Sequence, residues 1–111
     1  MIEEFNKYTN NYDMNDEAIR NKYSHSIRVM NLSKKYATIL GFSKEDIELA
    51  TLIGLLHDIG RFEQIRVYHT FNDSKSIDHA LYGVKVLFED NLIEKFSKNK
   101  GEYEIIKTAI Y

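Results

Sequence analysis

The stretch "LIGLLHDIGRF", residues 52–62, ends an almost unbroken apolar run with a histidine and an aspartate side by side. Burying an imidazole and a carboxylate together is costly unless something compensates them. Extended upstream, the run becomes a helix over roughly residues 44–59. Ile47, Leu49, Ala50, Leu52, Ile53, Leu55 and Leu56 make it apolar almost all round, and such a helix belongs in the middle of a fold. Ser43, with Asp46 three residues on, is a capping-box-like start. His57-Asp58 is then expected in the last turn and Gly60 as the terminator.

The rest of the chain has the same character. It holds no proline and five glycines, and few breakers with little strict alternation predict an all-α fold. Residues 1–14 read as a short lead-in and 15–111 as the helical core of a single domain. Asn15 or Asp16 caps a long helix that runs to Leu40 and stops at Gly41. On that helix Ile19, Tyr23, Ile27, Met30 and Ala37 share an arc of about 80° at 100° per residue. Val29, Leu32 and Tyr36 widen the apolar surface, which predicts packing on two sides. Residues 61–75 read as a loop. Ser74 or Ser76 caps a third helix at about 77–89, and a last helix starts near Glu102 and runs out at "EIIKTAIY" without a C-cap. A helix cut there leaves an apolar edge that favours self-association into a homo-oligomer.

At 111 residues, 43% hydrophobic and 29% charged, with a formal charge of −2, the composition is that of a globular domain. It gives no reason to expect a nucleic-acid or membrane partner. The absence of cysteine excludes disulfides, thiolate metal sites and a cysteine nucleophile. Without a signal-peptide pattern or an apolar run of membrane length, the expected location is cytoplasmic.

One account of His57-Asp58 is a core histidine hydrogen-bonded to a neighbour, with Asp58 at a helix terminus. A carboxylate at a helix C-terminus is disfavoured by about 0.3–1 kcal/mol, however, so a positive group is expected nearby. A divalent cation satisfies that requirement, and imidazole with carboxylate suits such ions. Further ligands must come from elsewhere. His25, at the edge of the apolar arc, and His79, at the start of the third helix, are the candidates. Each is also compatible with a simpler role, a half-buried surface histidine or an N-terminal turn residue. His69, in "VYHTF", is expected in solvent.

His25 in "YSHSIRV", the HD pair in "LIGLLHDIGRF" and the later "SIDHALYGVKVL" together resemble the HD-domain superfamily of metal-dependent phosphohydrolases, from about Lys22 onward. The resemblance implies an all-α bundle with a metal at its centre. His25, His57 and Asp58 match three ligands, and His79 matches a histidine of members that hold two metals. One or two divalent ions are implied, with manganese, iron, magnesium, zinc and nickel all compatible. The family's final ligand aspartate lies on a later helix, and Asp73, Asp78 and Asp90 come too early to match it. The chain is therefore expected to be the N-terminal part of such a domain.

The implied activity is metal-assisted hydrolysis of a small phosphate ester or anhydride, a nucleotide among the candidates. Asp58 would be a ligand, and a bridge between two ions. Between residues 20 and 44 there are six Lys or Arg and no Asp or Glu. Arg28, three residues after His25, and Arg61 are candidate phosphate-binding residues, and Glu63 is a candidate general acid or base. The motifs of alarmone-hydrolysing and GYP-type cyclic-di-GMP members are missing. A non-catalytic HD-type binding or regulatory module and a di-iron oxygenase-type site are the alternatives.

Overall fold

The computed structural model describes residues 1–111. Six α-helices follow one another: α1 (Ile2–Thr9), α2 (Glu17–Ile39), α3 (Lys44–Leu56), α4 (Gly60–Tyr68), α5 (His79–Phe88) and α6 (Tyr103–Ile110). Single 3-10 turns at Asp73–Lys75, Leu92–Lys95 and Lys100–Glu102 punctuate the connections, and the chain has no strand. No helix is long and apolar enough to cross a membrane.

The long helix starts as its sequence predicts, with the Asp16 side chain accepting from the Ala18 amide. Ser43 caps α3 by accepting from the Asp46 amide. Between them the chain reverses through Gly41, at φ 77°, a left-handed conformation that suits glycine. The two helices run antiparallel, because positions 33, 29 and 25 of α2 meet positions 54 and 57 of α3. A β-carbon at Gly54 would stand 2.5 Å from the Ser33 Oγ and 2.9 Å from the Val29 carbonyl oxygen. Glycine costs about 0.8–1.0 kcal/mol relative to alanine inside a helix. Here it lets two backbones approach closely, a few residues before His57.

Three expectations are corrected. Residues 60–68 are the helix α4, not a loop, and Gly60 begins that helix instead of ending the previous one. Its lack of a side chain answers a packing constraint, since a β-carbon would collide with the His79 carbonyl oxygen and the Gly83 amide of α5. Second, α5 is capped by Asp78, which accepts from the Ala80 and Leu81 amides, and not by Ser74 or Ser76. Third, the apolar face of α2 is narrower than expected: Ile19, Met30 and Ala37 are buried and Tyr23 and Ile27 pack on the core, with the helix set against α3 and α4. Leu32 and Tyr36 are 47% and 57% exposed, because no element covers the last turns of the helix on that side.

The core unites Phe5 of α1, Ile19 and Met30 of α2, Leu52, Leu55 and Leu56 of α3, and Phe62 and Ile65 of α4. Ile59 between α3 and α4, Val86 and Leu87 of α5, Ile93, and Ile106 and Ile110 of α6 complete it. Phe5 is fully buried, against Tyr23 and edge-on to Phe62, so the N-terminal segment contributes to this core. The turn that carries His57, Asp58 and Ile59 joins α3 to α4 inside this core, with Ile59 fully buried, and Asp58 faces α2 and the N-terminus of α5.

Candidate metal centre

Asp58 lies in the three-residue turn between α3 and α4. This corrects the electrostatic expectation: the residue follows the C-terminus of one helix and precedes the N-terminus of the next, so the two helix ends oppose each other. The carboxylate is buried and is met by side chains. Lys22 of α2 donates to Oδ2 at 3.2 Å. The Nε2 of His57 lies 3.3 Å, and the Nε2 of His25 3.6 Å, from the same oxygen. The other oxygen, Oδ1, is 3.5 Å from the Nε2 of His79. Three imidazoles from α2, the α3–α4 turn and α5 thus aim the same ring atom at one carboxylate.

The orientation of these rings is built in locally. His57 is held through Nδ1, which is 2.7 Å from the Gly54 carbonyl one turn back in α3, leaving Nε2 to face Asp58. Its ring is 5.4 Å, centroid to centroid, from that of His25. The Nδ1 of His79 is 2.7 Å from an oxygen of Asp73. Tethering one ring nitrogen while the other faces inward is the usual arrangement of metal-ligating histidines. Donor atoms of His25, His57 and Asp58 lie within 4.8 Å of one another. The set holds only nitrogen and oxygen donors around one carboxylate, and it fits a divalent cation.

Charge coupling within the cluster is strong. Burial works against ionisation of Asp58, but hydrogen bonding and charge from His57, with Lys22, hold its carboxyl well below the usual range. Burial likewise opposes protonation of His57, and Asp58 outweighs it, so the imidazole is shifted upward. His25 is shifted downward by desolvation and by Lys22.

The remaining predicted residues fall into two groups. Arg28 is exposed on α2, and its charge adds to the downward pressure on His25. His69 is exposed as expected and is the left-handed C-cap of α4. Arg61, by contrast, is engaged within the protein. Its Nη1 donates to Asp73 Oδ1, to the Phe71 carbonyl and to Gln64. Glu63 lies in a different network, where it accepts from Tyr12 at 2.8 Å and pairs with Arg66. That pairing, above all, lowers its carboxyl, and Glu63 makes no contact with the histidines around Asp58. Asp73 and Asp78, which lie near His79, are taken up by Arg61, Gln64 and His79 and by the α5 cap, respectively.

Lys22 and Asp73 were missed from sequence. Lys22 had a usable signal, since it stands three residues before His25 and shares its helix face. Asp73 had none, because nothing local ties a residue of a polar turn to a histidine six positions on. The largest groove, about 590 Å³ between α1, α2 and α3, is lined by Met1, Met30, Lys34, Ile47 and Thr51 among others and by none of the converging groups. The site is defined by its chemistry, not by the most voluminous groove.

Comparison with known proteins agrees with this geometry. The HD domain family model matches residues 23–111. The chain belongs to the HD domain family, whose superfamily is one of metal-dependent phosphohydrolases. It is similar to proteins named Ribonuclease Y from two strains of Staphylococcus epidermidis, each 36% identical over 92 residues. Those 92 residues are 83% of this chain and 14% of the relatives' length. No solved structure matches the chain significantly.

Proposed function

We propose that the chain carries a metal-dependent phosphohydrolase centre acting on a small phosphate ester or anhydride, with nucleotides as the foremost candidates. The observation that carries this reading is the convergence of His25, His57 and His79 on the two oxygens of Asp58. In this reading His25, His57 and Asp58 would hold one divalent ion, and His79 with Asp58 would hold a second. A divalent ion supplies Lewis acidity, making water a competent nucleophile at neutral pH and offsetting charge on the phosphoryl oxygens.

The protein's own groups do the rest. The Gly54 carbonyl keeps the lone pair of His57 Nε2 turned inward. Lys22 neutralises Asp58 and lies 5.2 Å from the centre of the Phe71 ring. Its ammonium is the cation best placed to meet a phosphoryl oxygen, with Arg28 at the exposed rim as a bidentate partner. Arg61 serves the reading by holding the 69–78 connection in place. Glu63 supports α1 through Tyr12, and the catalytic carboxylate of this reading is Asp58.

The name of the Staphylococcus epidermidis relatives favours a second reading, a phosphodiester of RNA as substrate. One experiment addresses both. Metal content of the purified protein is measured, followed by hydrolysis of nucleoside monophosphates, aryl phosphate mono- and diesters and short RNA. His57→Ala is the control. Metal-dependent turnover that disappears in the variant is the expected result, and the preferred substrate separates the two readings. Equal turnover by wild type and His57→Ala would remove the assignment of this centre.

A further inference from the structure

Both oxygens of Asp73 are committed. Arg61 Nη1 and Gln64 Nε2 donate to Oδ1 at 2.9 and 2.8 Å. The other oxygen, Oδ2, stands 2.7 Å from His79 Nδ1 and 3.3 Å from the His79 backbone amide. Gln64 is fully buried on α4 and also donates to Ser76 Oγ. Arg61 reaches back to the Phe71 carbonyl. The carboxylate is thus gripped from α4 on one side and faces α5 on the other.

This geometry dictates the proton on His79. Each ring nitrogen faces an ionised carboxylate, which can only accept, but the contact to Asp73 is the closer, 2.7 Å against 3.5 Å to Asp58. In the neutral ring, therefore, Nδ1 carries the hydrogen and Nε2 keeps its lone pair. That lone pair is on the nitrogen that lies 3.5 Å from Asp58 Oδ1. We propose that Asp73, fixed by Arg61 and Gln64, is a positioning residue that sets the ring orientation and tautomer of His79 and so controls the second metal position. The inference rests on the metal-centre reading, but its first half, the tautomer, is a property of the metal-free protein. It also gives Arg61 a role two contacts removed from the metal.

Asp73→Asn is the informative variant because it keeps the shape and changes one oxygen to nitrogen. Two donors, Arg61 and Gln64, demand an oxygen on their side. The amide nitrogen is thereby turned toward His79, where it makes Nδ1 an acceptor and moves the ring proton to Nε2. Asp73→Ala serves as a second variant that removes the acceptor altogether.

The test has two readouts. Long-range ¹⁵N–¹H spectra of histidine-labelled protein, in EDTA at mildly alkaline pH, report the tautomer. Calorimetric titration with Mn²⁺ and Zn²⁺ reports binding, with His79→Ala marking the step that depends on His79. The wild type is expected to show the Nδ1–H form of His79, and Asp73→Asn the Nε2–H form. In both Asp73 variants the His79-dependent step is expected to weaken by roughly 10- to 100-fold, while the step held by His25 and His57 is retained. An Nε2–H wild type, or an unchanged His79-dependent affinity in both variants, would overturn the inference. A wild type that binds no metal but shows the Nδ1–H form would overturn the proposed function and leave the Asp73–His79 tether standing.

Discussion

Single side chains at the α3–α4 turn control how close the elements come. Gly60 is the sharpest case, because a methyl there meets backbone atoms of His79 and Gly83 rather than a movable side chain. Gly60→Ala is expected to destabilise the protein by about 1–3 kcal/mol, as overpacking does elsewhere. Urea unfolding would show this as a lowered midpoint at unchanged slope, and metal affinity should fall as His79 is displaced. Gly54→Ala combines a helix-propensity gain with a collision at Val29 and Ser33. Its net effect is a smaller loss, about 1 kcal/mol, in the same assay. Sequence reading found the identities of His25, His57, Asp58 and His79, because imidazole and carboxylate in apolar helices stand out by composition. It did not find the true role of Gly60. A glycine after an apolar run looks the same whether it ends a helix or sits under another backbone.

Among the helices, α1 shows how much a short element can contribute. Its Phe5 fills the space between Tyr23 and Phe62, and Phe5→Ala is expected to cost about 3–5 kcal/mol in thermal or urea unfolding. Just beyond it, Tyr8 and Tyr12 share a hydrogen bond of 2.9 Å, and Tyr12 donates to Glu63. Burial raises the Tyr8 phenol to about 12 and drives Tyr12 upward as well. A phenol with a raised folded-state pKa favours the protonated fold. The associated stability is complete below the ordinary tyrosine value near 10 and is lost as pH climbs through about 12. Unfolding midpoints should therefore drop steeply across that window, and Tyr8→Phe should flatten the drop. An equally steep loss in the variant would refute the assignment. The helices α2 and α3 were legible from period and caps, and α5 and α6 from their apolar residues alone. The helix α4 was not: its residues, "GRFEQIRVY", mix apolar and polar positions without a clean stripe. Its helicity is supported by tertiary packing of Phe62, Gln64 and Ile65 rather than by pattern.

Considered as one body, the metal-free protein stores charge in its middle. Asp58 has a lowered pKa, so its share of stability is present above the unfolded value of about 3.8 and is lost as pH falls below it. His57 has a raised pKa, so its share is present below about 6.5 and is lost as pH rises past its folded value. In EDTA, stability should therefore peak between those two pH values, and Asp58→Asn should flatten both limbs. Saturating divalent metal is expected to raise the midpoint of the wild type at neutral pH through linkage and to leave that of Asp58→Asn unmoved. A wild-type profile identical to that of the variant would show that the carboxylate is not the hub of the cluster.

Composition, period and capping residues were enough to imply an all-α chain and most of its helices and to single out His57 and Asp58, with His25 and His79 as candidates whose grouping came from the resemblance to the HD-domain superfamily. Those are local properties, written in which residues recur every three to four positions and which polar groups interrupt an apolar run. Three things came from the folded arrangement: that Lys22, which sequence spacing placed only on the face of His25, shares the carboxylate, that Arg61 grips Asp73 instead of lying open, and that Glu63 pairs with Tyr12 and Arg66. Each depends on which helix faces which, and that is settled by close backbone approaches at Gly54 and Gly60 and by burial of Phe5, Phe62 and Leu87 in a common core. Such contacts join residues distant in the chain, so no stretch of sequence read by itself carries them.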